Sequence, residues 1–154
     1  MDRKQIENIL EQAKIRFLKN DLYLLLAEAN ERSITHKFAE HLQAVIGCSW
    51  DVDCEYNKFG SESKVIYAIK KTIGSETLTD DIKAKTVYPD IVVHKRGNKG
   101  PNLLVIEAKK DATNKDRQKD IEKLEKIRDE YKYNFAVFIN FKIKAGKIEW
   151  EFCE

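Results

Sequence analysis

Two carboxylates and a lysine stand where two β-rich segments of the sequence meet. Asp90 precedes one apolar run, and Glu107 and Lys109 close the next one. Side chains two residues apart project from the same face of a strand, so Glu107 and Lys109 point together and Ala108 points away. A paired strand lies only about 4.8 Å away, which lets Asp90 approach the same place. Two carboxylates beside an ammonium group predict a Mg²⁺ site, since Mg²⁺ is usually held by one or two carboxylates and keeps waters and substrate phosphate oxygens.

The elements that must position these residues follow from the hydrophobic spacing. Residues 3–19 carry apolar side chains at helical intervals and predict an amphipathic helix. A short helix is expected over the apolar run that begins at Leu22. Ser33 is a favourable N-cap for a further helix that should end at Gly47. Residues 50–56 alternate with period two and predict a half-exposed strand.

The second half of the chain gives a clearer pattern. Residues 86–95 and 102–110 predict two strands joined by a turn over 96–101. Residues 114–131 predict a strongly charged amphipathic helix, and 135–141 and 147–152 predict two strands. Residues 60–85 are interpreted as an insertion with a helix and an exposed loop, because Val65, Ile66, Ile69 and Ile73 fit helical spacing.

This order of elements predicts a mixed α/β fold, with a central mixed sheet flanked by helices. A chain of 154 residues suits one domain, 1–154, with an N-terminal helical extension over 1–32 and the insertion over 60–85. The predicted order of elements is helix, helix, strand, insertion, hairpin, helix, strand and strand.

Composition excludes several classes of protein. The chain is 42% hydrophobic and 35% charged, which is incompatible with a collagen-like, low-complexity or wholly disordered chain. Three cysteines without a CxxC pair argue against a disulfide framework and favour a cytoplasmic location. Residues 1–62 hold 8 basic and 11 acidic side chains, whereas 63–154 hold 20 and 15. The mildly basic second part would tolerate a polyanion such as nucleic acid, although many solvated surfaces share this composition.

The pattern Pro89-Asp90 and Glu107-Ala108-Lys109, on a hairpin followed by a helix and a strand, resembles the PD-(D/E)xK nuclease superfamily. This resemblance implies a restriction-endonuclease-like fold with a core of α-β-β-β-α-β order. It also implies Mg²⁺-dependent hydrolysis of phosphodiester bonds, with Mn²⁺ as a substitute. It implies that Asp90 and Glu107 bind the metal and that Lys109 orients or activates the attacking water. The superfamily often adds a glutamate on the helix before the first core strand, and Glu40 is the matching candidate. A solvated helix face is the alternative interpretation of Glu40.

Further residues are assigned with less support from the pattern. His36, one turn before Glu40, and Asp120, on the helix after Lys109, are expected beside the site. Phosphate contacts are expected from Lys110, Lys115, Arg117 and Lys123, for which solubilising charge is the alternative. A zinc site from His36, His41, Cys48 and Cys54 is disfavoured because the spacings fit no common zinc pattern.

The expected function is therefore a metal-dependent nuclease acting on nucleic acid, with DNA favoured, in repair, junction processing or defence. A homodimer is expected by analogy with small nucleases of this fold, and no membrane partner is expected. The alternative is a catalytically inactive module on the same fold that binds nucleic acid or protein.

Overall fold

The structure is a computed structural model that describes residues 1–56, 58–59, 62–63, 65–70, 81–86, 88–97 and 100–153. Its helices are α1 (Arg3–Asn20), α2 (Leu22–Leu26), α3 (Glu31–Ile46) and α4 (Asn114–Tyr131). Its strands are β1 (Asp51–Cys54), β2 (Lys58–Phe59), β3 (Glu62–Ser63), β4 (Val65–Lys70), β5 (Asp81–Thr86), β6 (Ile91–His94), β7 (Asn102–Lys110), β8 (Tyr133–Lys142) and β9 (Lys147–Phe152). The predicted mixed α/β class is confirmed.

Within the described residues, β1, β6, β7, β8 and β9 form a five-stranded sheet in that order. The pair β7–β8 is parallel and is connected through α4, whereas the other neighbours are antiparallel. A parallel pair needs such a long crossover, and α4 supplies it. Both β7 and β8 therefore end at the edge of the sheet where α4 begins.

Alternate residues of β7 face opposite sides of the sheet. Leu104, Ile106 and Ala108 join a core shared with α1 and α3, whereas Val105 joins a second core beneath α4. The strand is buried on both faces from Asn102 to Ala108, which explains its continuous apolar run. Because Glu107 and Lys109 share their face with Val105, both lie on the α4 side of the sheet.

A side-chain cap stands at the start of each long helix. Asp2 and Gln5 form a capping box at α1, and Thr113 and Asp116 form one at α4. Gly47 ends α3 with a φ of 76°, a left-handed conformation that glycine adopts without strain. The predicted N-cap Ser33 is wrong by three residues, because the Asn30 side chain accepts the hydrogen bond from the Ser33 amide and caps the helix instead.

The N-terminal segment is part of the main core and not an appendage to it. Ile6, Leu10, Ala13 and Phe17 of α1 are fully buried against the core cluster that α3 and the sheet share. The expected extension over 1–32 also overlaps α3, which already begins at Glu31.

Two predicted segments differ from the structure. The helix expected from Val65 onward is wrong, since 65–70 and 81–86 pair as the antiparallel strands β4 and β5. Over so short a run, β-branched residues are compatible with both helical and strand spacing, and pairing with a strand further along the chain decides between the two. Ile73 lies outside the described residues. The strand expected over 86–95 is interrupted, because Thr86 ends β5 and Tyr88–Asp90 precede β6 outside the ladder.

The hairpins β2–β3 and β4–β5 each pair only internally among the described residues, so their strands are not part of the five-stranded sheet. The described helices include none with the length and apolar character that crossing a bilayer requires.

Candidate functional site

Asp90 lies where the β6–β7 ladder ends. The register Ile91↔Ile106 places Asp90 next to Glu107 on the neighbouring strand. The Asp90 carboxylate accepts a hydrogen bond from the Ala108 amide, with an N–O distance of 2.8 Å, and so continues the ladder with a side chain. Burial raises the pKa of Asp90, while the Ala108 amide and the charges of Lys123 and Lys109 partly offset that rise.

Glu107 is a carboxylate almost entirely removed from water, with 2% of its surface exposed. The Lys123 ammonium of α4 lies 2.8 Å from each carboxylate oxygen, but only Oε2 accepts a hydrogen bond from it. Oε1 is buried and has no hydrogen-bond partner. Burial and the nearby charge of Asp90 raise the pKa of Glu107 to about 8, against the opposing effect of Lys123.

Lys109 lies between the two helices that flank the sheet edge. Its Nζ atom is 3.4 Å from Glu31 Oε1 on α3 and 4.0 Å from Asp120 Oδ2 on α4. Burial lowers the pKa of Lys109, but the charges of Glu31, Asp120 and Asp90 outweigh it and leave the pKa raised. Asp120 Oδ2 is also buried without a hydrogen-bond partner, and burial raises the pKa of Asp120.

Glu31, the first residue of α3, is a site residue that the sequence pattern did not reveal. Its Oε2 accepts a hydrogen bond from the Lys110 amide at 2.9 Å, and its Oε1 lies 3.4 Å from Lys109 Nζ. These contacts attach the start of α3 to the end of β7. Glu31 thereby joins Asp90, Glu107 and Asp120 in one group of carboxylates, which we call the acidic cluster.

Glu40 is not brought to the acidic cluster. Its side chain is half exposed and pairs with Lys37 at 2.6 Å and His36 at 3.5 Å. The Lys37 hydrogen bond lowers the pKa of Glu40. Nine residues of α-helix make two and a half turns, so Glu40 projects from the side opposite Glu31 and lies about 13.5 Å further along the axis. The expectation that Glu40 lies near Asp90 is therefore wrong, and Glu31 is the α3 carboxylate at the site.

The residues predicted to contact phosphate have different surroundings. Lys123 points inward to Glu107, and Lys110 Nζ donates to the backbone carbonyls of Glu28 and Ala29 at 3.3 and 3.1 Å. Arg117 forms a two-pronged ion pair with Glu151 of β9. Lys115 is exposed at the start of α4.

A cavity of about 300 Å³ opens beside Asp90, between α3 and the end of β1. Glu31 and Asp90 line it, together with Arg32, Thr35, His36, Cys54 and Glu55. His36 is mostly exposed at its rim, and Arg32 spans to Glu55 with a 2.9 Å contact. The cavity gives a small polar molecule access to the Asp90 side of the acidic cluster.

The donor set of the acidic cluster fits Mg²⁺ in chemistry. All donors are carboxylate oxygens, and two of them, Glu107 Oε1 and Asp120 Oδ2, are buried without a hydrogen bond. In the described part of the chain, no three His, Cys, Asp or Glu side chains stand close enough to hold a metal ion by themselves. Mg²⁺ needs only one or two carboxylates when waters and phosphate oxygens complete its shell, and Asp90 and Glu107 supply that number.

The residues considered for zinc are dispersed. His41 forms a 2.6 Å contact with Asp21, Cys48 is exposed, and Cys54 is half-buried with a pKa raised to about 11 by burial. A thiol in that environment is protonated at neutral pH and is a poor metal ligand.

Two roles were not predicted from the sequence: that of Glu31 as a site residue and that of Lys123 as the partner of Glu107. Local signals for both were present but ambiguous. A glutamate directly after an N-cap is favoured by the helix dipole, so Glu31 needed no functional explanation. Lys123 was predicted to contact phosphate, and its place in a helix with many lysines did not indicate that its side chain pairs with Glu107.

No family model, curated protein or solved structure matches this chain. The interpretation of the site therefore depends on the geometry of its residues.

Proposed function

We propose that this protein is a metal-dependent nuclease that hydrolyses phosphodiester bonds of nucleic acid, with DNA as the favoured substrate. The observation that carries the proposal is the acidic cluster with Lys109 at the end of β7. Burying a charged group costs several kcal/mol, so the buried Glu107 and the partly buried Asp90 and Asp120 at one sheet edge need a compensating function or ligand.

Each residue has a role that its position supports. Asp90 and Glu107 hold the metal ion, and Glu31 and Asp120 support it directly or through water. A bound Mg²⁺ polarises the scissile phosphate and lowers the pKa of a bound water. Lys109 faces the same space, where its ammonium orients the attacking water and offsets the negative charge of the transition state.

The order of elements also supports this function. When β2 to β5 are set aside, α3, β1, β6, β7, α4 and β8 follow one another in the order that the nuclease resemblance implies. One acidic cluster per chain cuts one strand, so we also propose that cleavage of duplex DNA uses two copies of the chain. Light scattering of the protein with and without duplex tests that association.

A second candidate is a binding module without catalysis, and one observation favours it. Lys123 already lies against Glu107, and Lys109 lies against Glu31, so two carboxylates have cationic partners without any metal. On this interpretation the charges serve stability alone, and no metal binds.

The two candidates are separated by metal binding and cleavage measured on the same protein. Calorimetry with Mn²⁺ should detect binding in the wild type and a large loss in Glu107→Gln, which replaces a metal-binding carboxylate by an amide with little change of shape. A panel of single-stranded, duplex and branched DNA and RNA should yield products with Mg²⁺ or Mn²⁺ and none with EDTA.

Glu151→Gln is the matched control. Glu151 is a partly exposed carboxylate paired with Arg117, away from the acidic cluster on β9. Its variant should bind Mn²⁺ and cleave as the wild type does. Absence of both Mn²⁺ binding and cleavage in the wild type would favour the binding module.

A further inference from the structure

The surface of α4 carries lysines without acidic partners. Lys115, Lys119 and Lys126 are exposed, and none of them takes part in an ion pair or a side-chain hydrogen bond within the described part of the chain. Many other lysines are paired, for example Lys14 with Glu11, Lys37 with Glu40 and Lys142 with Glu149. Glu122, one turn before Lys126, interacts with Gln118 instead.

These lysines lie on one side of the helix. With 3.6 residues per turn, Lys115, Lys119, Lys126 and the inward-pointing Lys123 fall within about 80° around the axis of α4. We call the three exposed members the lysine stripe. It extends over about 16 Å along the axis at 1.5 Å per residue. Two glutamates share this side: Glu122, about 20° from Lys115 around the axis, and Glu130, near the C-terminal end of the helix.

The lysine stripe faces solvent and borders Lys123, the lysine of α4 that reaches the proposed active site. Lys123 points from the same side of α4 to Glu107. The Thr113 hydrogen bonds lower the pKa of Asp116, and the charges of Lys119 and Lys109 add a smaller effect in the same direction, so the first turn of α4 lies within electrostatic reach of Lys109. The stripe thus has members on both sides of Lys123 along the helix.

This arrangement opposes two rules of helix stability. Like charges spaced four residues apart, as in Lys115, Lys119 and Lys123, destabilise a helix. Cations near a helix N-terminus also oppose the helix dipole, and Lys115 is the second residue of α4. Residues that break local rules without a compensating contact are expected at functional surfaces.

We propose that the lysine stripe binds the phosphodiester backbone of the nucleic acid on either side of the bond that is cut. This inference rests on the proposed nuclease function, and it names the surface that the substrate occupies. A single strand of duplex carries a phosphate for each 3.4 Å of helix rise, so the stripe spans roughly five phosphates. Lysine ammonium groups act there as point charges that position the strand without reading its sequence.

The test compares two triple variants that remove the same charge. Lys115→Gln/Lys119→Gln/Lys126→Gln removes the stripe. Lys4→Gln/Lys19→Gln/Lys147→Gln removes three other exposed lysines, which lie on α1 and β9. Fluorescence anisotropy in EDTA measures the affinity of each variant for two labelled 20-mers, one of DNA and one of RNA, that have the same sequence. The titrations are repeated at salt concentrations between 50 and 200 mM.

The stripe variant should bind at least about 10-fold more weakly at 0.1 M salt, and the slope of log K against log salt should fall by roughly 2–3. Its melting temperature should equal or exceed that of the wild type, because unfavourable charge contacts are removed. A loss of affinity for DNA, for RNA or for both supports the inference and identifies which nucleic acid the lysine stripe binds. The control variant should keep most of the affinity.

Two results would overturn the inference. One is equal affinity of both triple variants while the wild type still cleaves with Mg²⁺, which leaves the proposed function intact. The other is a clear fall in melting temperature of the stripe variant, which would mean that the lysines stabilise the fold. A wild type that neither binds nor cleaves nucleic acid would remove both proposals.

Discussion

At the scale of single residues, the two lysines of the site differ in what they touch. Lys123 contacts Glu107, whereas Lys109 lies nearest Glu31 and Asp120 and keeps about a third of its side chain exposed. An exposed ammonium beside carboxylates is free to meet a substrate, while one bound to a buried carboxylate is occupied. This difference assigns the catalytic role to Lys109 and a positioning role to Lys123.

Lys109→Ala should therefore lower the rate of cleavage and leave metal affinity largely intact. A group that orients water or offsets transition-state charge is worth about 10²–10⁴ in rate. Single-turnover cleavage and Mn²⁺ calorimetry on the same preparation measure the two effects separately. Full activity of the variant would contradict the proposed role of Lys109.

The structure also distinguishes between two glutamates of one helix. Glu31→Gln should weaken Mn²⁺ binding and cleavage by about 10–100-fold, the usual cost of removing a group that supports a metal site. Glu40→Gln should change neither, because Glu40 is half exposed and pairs with Lys37 and His36. Calorimetry and cleavage assays on the pair provide the measurement, and a larger effect at Glu40 would reverse the assignment.

At the scale of elements, α1 belongs to the core on the side of the sheet opposite α4. Phe17 is fully buried and lies 6.3 Å from Phe38 of α3 and 6.2 Å from Phe141 of β8, measured between ring centroids. One side chain of α1 thus connects a second helix with the sheet. The helix contributes to the core even though none of its residues lies in the acidic cluster.

Phe17→Ala should lower the free energy of unfolding by about 3–5 kcal/mol, the range for removal of a buried phenylalanine. Ile15→Ala, on the exposed side of the same helix, should change it by less than about 0.5 kcal/mol. Urea denaturation at pH 7 measures both. Similar small effects of the two variants would show that α1 is dispensable for the core.

The edge strand β1 is held by charged side chains on the α4 side. Asp53 accepts hydrogen bonds from Arg96 at 2.8 and 2.5 Å, and its Oδ2 lies 2.9 Å from His94 Nε2. The Arg96 hydrogen bonds lower the pKa of Asp53. These contacts join β1 to the end of β6, beyond the last backbone pair.

Asp53→Asn should cost about 1 kcal/mol at pH 7, since Arg96 is more than half exposed and solvent weakens the pair. Because the folded pKa is depressed, ionised Asp53 contributes its full stability above the unfolded pKa of about 3.9, and the contribution is lost as pH falls through the folded pKa. The difference between variant and wild type should therefore shrink below about pH 3.9.

Urea denaturation at pH 7 and pH 3 checks this dependence. Asp129→Asn, at an exposed carboxylate of α4, is the control and should stay within about 0.5 kcal/mol at both pH values. A difference for Asp53→Asn that grows toward pH 3 would contradict the ion pair.

At the scale of the whole molecule, the acidic cluster couples the fold to its proposed metal. The cluster unites residues of α3, β7 and α4 with Asp90, which directly precedes β6. A ligand that binds only the folded state stabilises it by RT ln(1 + [L]/Kd), or about 2.7 kcal/mol at one hundred times Kd. Saturating Mn²⁺ should thus raise the melting temperature by roughly 5–10 °C for a domain of this size.

Thermal denaturation with Mn²⁺ or EDTA measures this shift, and Glu107→Gln should abolish most of it. If the melting temperature of the wild type does not change when Mn²⁺ is added, the result would contradict a metal site in the folded protein.

The sequence determined the features that local periodicity and sterics control. α4 and β9 have the bounds that their hydrophobic spacing predicts, and β7 was correctly placed because its apolar run is long and bounded by a turn. The proximity of Asp90, Glu107 and Lys109 followed from strand alternation and from the short connection of one hairpin. Such arguments involve residues separated by a single turn, where chain geometry leaves few alternatives.

Tertiary structure alone decided which distant residues join them. Helical periodicity was equally compatible with Glu40 and Glu31 as the site residue of α3. Only the packing of α3 on the sheet places the start of this helix beside Lys110. The inward rotation of Lys123 and the pairing of β4 with β5 also depend on partners far along the chain. Contacts of this kind have no local signature, because they arise from the burial of whole faces against one another and not from the preferences of the residues that meet.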